Sequence, residues 1–162
     1  MRDLRALLIF AAMLLTTGVS ALAAPKTPVQ WHVKAAPNKP VKVGSKFNVT
    51  ITGEPEPGWH LYALEEPEGG PIATEISLTD GDPADLLRVE ESKPKMLPDP
   101  ITQKPAGFFD GAADFVLHLQ SAKDAEMGAG ALRVMVRYQS CNDHVCLPPH
   151  TETVTVPVTI AR

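Results

Sequence analysis

The chain contains two cysteines, Cys141 and Cys146, both within the segment Tyr138 to His150, "YQSCNDHVCLPPH". A pair with four residues between its members can be a local staple, or a dithiol–disulfide couple that exchanges electrons with another protein. As a staple it gains little. A ring of six residues is worth about 2 kcal/mol in the chain-entropy picture, against about 4 for a loop of ~60 residues. As a couple it is well equipped, because a thiolate at a loop tip is open to a partner and its neighbour can resolve the mixed disulfide. His144 lies between the two cysteines, where a protonated imidazole would favour a thiolate. Leu147-Pro148-Pro149 stiffens the exit, since proline fixes its own backbone and extends the residue before it. Spacing alone leaves both readings open, because small exported domains also carry inert local disulfides.

The elements that must position this pair read as strands. Apolar residues alternate in Val29–Ala35, Lys46–Thr52, Asp114–Gln120, Leu132–Tyr138 and Thr153–Ile160, and shorter runs surround Leu61, Ile76 and Leu87. Period-two alternation is the mark of half-buried strands. Clusters such as "EPEPG", "PEGGP", "DGDP" and "GAG" separate them as turn signals. About eight short strands with frequent turns predict an all-β fold, an immunoglobulin-like antiparallel β-sandwich. Pro157 inside the last run requires an edge or a bulge. Residues Ser92 to Asp110 read as one long irregular stretch, a functional or mobile loop. The cysteines then fall in the connection between the last two strands.

The amino terminus carries Arg2 and Arg5, an apolar run from Ala6 to Leu15 and small residues at Ala21 to Ala23. This layout predicts a signal peptide over residues 1–23, since the run is too short for the ~20 apolar residues of a spanning helix. One exported domain follows, over residues 24–162. Removing Arg2, Arg5 and Asp3 takes the 15 basic and 19 acidic residues to 13 and 18, a formal charge of −5. Such a domain has no electrostatic footprint for nucleic acid and no basic patch for anionic lipid, so membrane contact is expected to be peripheral at most. Nothing in the sequence argues against a monomer.

"VRYQSCNDHVCLPPHTETVTVPV" and the upstream "PGWHLYAL" resemble the amino-terminal periplasmic domain of the thiol:disulfide interchange protein DsbD. The likeness rests on Tyr138, Gln139, Cys141, Cys146, Pro148 and Pro149, and on Gly58, Trp59, Leu61 and Tyr62. It implies an immunoglobulin-like sandwich that passes electrons to thioredoxin-fold periplasmic proteins and needs no cofactor. By the same resemblance Cys146 engages the partner and Cys141 resolves the mixed disulfide. An aromatic-tipped cap loop is matched by Phe108, Phe109 and Asp110, with Phe109 the expected cap, and His60 and Tyr62 are placed beside the cysteines. The family's membrane and carboxy-terminal domains are absent from this chain, so a separate membrane thiol protein is the expected electron donor. The acidic residues that precede the cap in the family are replaced by Gly107 and Phe108, which leaves Asp110 as the nearest carboxylate; Glu65 and Glu66 read as a solvated loop pair. Two other classes compete. An adaptor module would keep an inert disulfide, and a copper protein would use Cys146 and His150 with His60. No methionine follows Cys146 to serve as an axial ligand, so no metal is expected.

Overall fold

The computed structural model describes residues 27–162; the expected signal peptide lies outside them. Twelve strands follow one another: β1 (Val29–Ala35), β2 (Val41–Lys42), β3 (Lys46–Pro55), β4 (His60–Tyr62), β5 (Glu75–Leu78), β6 (Ala84–Glu91), β7 (Lys95–Pro98), β8 (Pro105–Phe109), β9 (Ala113–Ser121), β10 (Gly128–Tyr138), β11 (Ser140–Cys141) and β12 (His150–Ala161). Among the described residues there is no helix, and hence none long and apolar enough to cross a membrane. The strands form three four-stranded sheets, ordered β1-β3-β9-β6, β2-β12-β10-β5 and β11-β4-β8-β7. The first two make the immunoglobulin-like sandwich. The third is a small sheet that carries the cysteines.

Alternation sets the core. On β9 the side chains of Ala113, Phe115, Leu117 and Leu119 are buried, and on β10 those of Leu132, Val134, Val136 and Tyr138. Val154, Val156, Val158 and Ile160 of β12 complete the same cluster, because residues two apart on a strand share a face. Trp31 of β1 packs with its ring centroid 5.5 Å from those of both Phe115 and Tyr138. Gly53 on β3 admits that indole: a Cβ there would lie 2.8 Å from Trp31 Cη2 and 2.9 Å from Leu61 Cδ2. Pro157 pairs with Ala131 of β10, while β2 meets β12 only at Ile160 and Ala161. The proline is therefore at a local edge, where its missing N–H costs no ladder bond on the open side.

Residues Ser92 to Asp110 differ from the irregular stretch that their prolines suggest. They form the β7–β8 hairpin, with Lys95 opposite Phe108 and Pro98 opposite Pro105. Prolines 94, 98, 100 and 105 flank or close its strands, positions that tolerate a missing donor. They hide the strand pattern without preventing pairing. Asp99 builds the turn by accepting the N–H groups of Ile101 (3.1 Å) and Thr102 (2.6 Å), and Gln103 takes φ 58°.

Candidate functional site: a disulfide under an aromatic lid

Cys141 and Cys146 are joined in a disulfide with their Cα atoms 4.0 Å apart. The loop between them is tied by its own first residue. Asn142 Oδ1 accepts the N–H groups of His144 and Val145, both at 2.9 Å, and the Asn142 N–H donates to the Val145 carbonyl. This is the side-chain turn that asparagine favours. Gln139 holds the loop to the body of the fold: its Nε2 donates to the Leu147 carbonyl (3.1 Å) and its Oε1 accepts the Ile72 N–H (3.0 Å). The two cysteines differ in exposure. Cys141 is wholly buried, whereas Cys146 is half-buried at the edge of the same cluster.

Strand parity decides which aromatic residue covers the pair. Across the small sheet Cys141 lies opposite His60, and Tyr62 lies opposite Phe108. Residues directly opposite project from the same face, and His60 and Tyr62 are two apart, so all four share one face. Leu61, Phe109 and Ser140 take the other. Accordingly Phe108 packs in a cluster with Tyr62, Ala106 and Cys141, while Phe109 points into the main core with its ring 6.0 Å from Phe115. Phe109, the expected cap, thus faces the main core, and Phe108 is the phenylalanine on the side of Cys141. His60 lies against Phe108 at a centroid distance of 4.7 Å.

Asp110 sits just past β8, ion-paired with Lys95, whose ammonium holds its carboxyl below the ordinary range. His144 and Pro148 are exposed. Pro148 lines a groove of about 240 Å³ with Leu147, Pro149 and Tyr138. Among the described residues no group of three His, Cys, Asp or Glu side chains could hold a metal ion.

Two carboxylates had no role assigned from the sequence. Asp99 is fully buried and accepts the Tyr62 hydroxyl at 2.6 Å. Burial pushes its carboxyl up, but the Tyr62 and Thr102 hydrogen bonds outweigh that and hold it below the ordinary range. Nothing in the sequence around Asp99 points to the tyrosine that its turn meets, 37 residues away. Glu66, read as solvated, reaches β8 and accepts the Gly107 N–H at 3.0 Å. Burial raises its carboxyl to about 7, partly offset by the Gly107 N–H, with Glu91 and Asp99 adding repulsion. A carboxyl whose folded pKa is raised contributes stability that is full below its unfolded value near 4.5 and is lost as pH rises through about 7. Glu66→Gln keeps an acceptor for Gly107 and is expected to flatten that part of the stability–pH curve. The gain at pH 8 should be about 1 kcal/mol, since solvent screens a half-exposed group. Urea melts at pH 5 and pH 8 measure it, and an unchanged slope would remove Glu66 from the balance.

The comparisons bear on the family and the fold. The family model described as "Thiol:disulfide interchange protein DsbD, N-terminal" matches residues 29–157. Among solved structures, the DsbD N-terminal domain of Neisseria meningitidis in the reduced form aligns with a TM-score of 0.55 and 14% identity, over 85% of this chain and 91% of that one. A family 123 glycoside hydrolase from Clostridium perfringens aligns at a TM-score of 0.36 and 8% identity, over 83% of this chain and 28% of its own, and carries no argument. A search of curated proteins gives no significant match. With the family match covering most of the described strands and a disulfide seated in the small sheet, the chain belongs to the DsbD N-terminal domain family of thiol:disulfide interchange proteins.

Proposed function

We propose that this domain works in the periplasm as a thiol–disulfide relay, taking electrons from a membrane thiol carrier and passing them to thioredoxin-fold proteins. Cys146 is the partner-facing sulfur and Cys141 the resolving one. The observation that carries this reading is the unequal burial of the two cysteines, with Cys141 enclosed and Cys146 half-buried. An incoming thiolate or disulfide must approach a sulfur along a free path, and Cys146 is the more exposed of the two residues. In the reducing direction the Cys146 thiolate attacks the partner's disulfide and releases one partner thiolate. Cys141 then attacks Cys146, releasing the second and restoring the Cys141–Cys146 bond. Phe108, lying over the cluster, limits access until a partner displaces it. No step calls for a cofactor.

The reduction potential of the pair tests the reading. Equilibration with glutathione buffers is expected to give about −180 to −270 mV, the range of catalytic thiol proteins. A value below about −300 mV would mark a structural disulfide, and the domain would then be an adaptor that kept the fold alone.

A further inference from the structure

Nδ1 of His60 is one of four buried side-chain nitrogen or oxygen atoms that have no hydrogen-bond partner among the described residues. A buried polar atom left unpaired calls for an explanation, and here the surroundings supply one. His60 lies directly opposite Cys141 in the β4–β11 pair, an arrangement that sets Cβ atoms about 4.5–5.5 Å apart on one face. Phe108 covers the imidazole at a centroid distance of 4.7 Å. The other ring nitrogen, Nε2, is 3.7 Å from Oδ1 of Asp143, in the loop between the cysteines. The imidazole thus has an acid at one nitrogen and nothing at the other. Opening the disulfide changes that balance, because Cys141 then carries an S–H on the same face.

The geometry points to His60 as the proton acceptor for the Cys141 thiol, an inference that rests on the thiol-exchange reading above. Asp143 favours the tautomer with its hydrogen on Nε2, since the hydrogen bond or charge at one ring nitrogen sets the state of the other. Nδ1 then presents a lone pair to the Cys141 S–H. In the mixed disulfide, Cys146 Sγ is bonded to a partner sulfur. The Cys141 proton passes to Nδ1, the thiolate attacks Cys146 Sγ and the intramolecular S–S bond forms. The Cys146–partner bond breaks with its electron pair on the partner sulfur, and that thiolate takes up the proton from His60 through water. Together the two steps oxidise the dithiol by two electrons and reduce the partner disulfide by two. His144, the histidine singled out by spacing, is exposed on the loop and contributes its backbone N–H to Asn142.

The test uses the reduced mature chain and a nitrobenzoate disulfide, whose coloured thiol is released once on attack by Cys146 and again on attack by Cys141. His60→Phe keeps a ring against Phe108 but cannot take a proton. It is expected to slow the second release at least ~10-fold, at the low end of what general-base removal costs or below it. The first release should stay within about twofold, and the melting temperature of the oxidised form should hold. Asp143→Asn, at an exposed position, provides a variant with little to disturb in the fold. It should slow the second release by about two- to fivefold, the scale of a surface ion pair. Equal slowing of both releases would make His60 merely structural and overturn the inference, as would a second release unchanged in His60→Phe. A wild-type chain that releases no thiol at all would instead remove the thiol-exchange reading, and the role of His60 with it.

Discussion

Cys146→Ser is expected to reduce capture of a thioredoxin-fold partner to background, while Cys141→Ser accumulates the same partner as a stable mixed disulfide. The asymmetry follows from burial. With Cys141 enclosed beneath Phe108 and Tyr62, a chain that keeps only Cys141 presents no sulfur to an incoming disulfide. A chain that keeps only Cys146 presents the more exposed cysteine and lacks Cys141, so only the partner's own second thiol can break the mixed disulfide and more of it accumulates. Incubating each reduced variant with an oxidised thioredoxin-fold protein and separating the products on a non-reducing gel measures both outcomes. Equal trapping by the two variants would mean that the lid moves freely enough to expose either sulfur. Trapping by the Cys146→Ser variant alone would exchange the two roles.

Asp99→Ala is expected to be the most damaging single change outside the main core, lowering stability by about 3 kcal/mol. Its carboxylate accepts the Tyr62 hydroxyl and the backbone N–H groups of Ile101 and Thr102, among others. Tyr62 is itself fully buried, and a buried donor left without a partner costs about 1–3 kcal/mol. Tyr62→Phe should cost less, about 1 kcal/mol, because Asp99 keeps its two backbone donors. The pair should therefore be non-additive in a double-mutant cycle. Because hydrogen bonds hold the Asp99 carboxyl below its ordinary value, its contribution is present above pH ~4 and is lost as pH falls further. This is the opposite slope to that of Glu66. Asp99→Ala should also loosen the β7–β8 hairpin that carries Phe108 and so speed reduction of the disulfide by dithiothreitol. Urea melts and the reduction rate read the two effects, and a variant as stable as the wild type would show that the hairpin is held by its ladder alone.

The eight strands that alternation predicts are all present, because each buries one face and period two is written directly in the residue order. The hairpin of β7 and β8 was not legible. Its strands are short and proline-flanked, with β7 exposed throughout, so no apolar alternation marks them. Glu66 likewise looked like half of a solvated pair, since nothing local shows that its carboxylate meets the Gly107 N–H, 41 residues away.

The sequence by itself determined the β-sandwich class and set two cysteines close together in one loop, both of which depend on neighbouring residue types and their spacing. Only the tertiary structure decided the rest: that Phe108 and not Phe109 packs in the cluster with Cys141, that Cys141 is the enclosed cysteine, that the Asp99 carboxylate meets the Tyr62 hydroxyl, and that His60 is paired opposite Cys141. The placements of Phe108, Cys141 and His60 depend on cross-strand register among β4, β8 and β11. A register slip of one residue would send every one of those side chains to the opposite face. Register arises from pairing between segments far apart in the chain, and local residue order does not encode it.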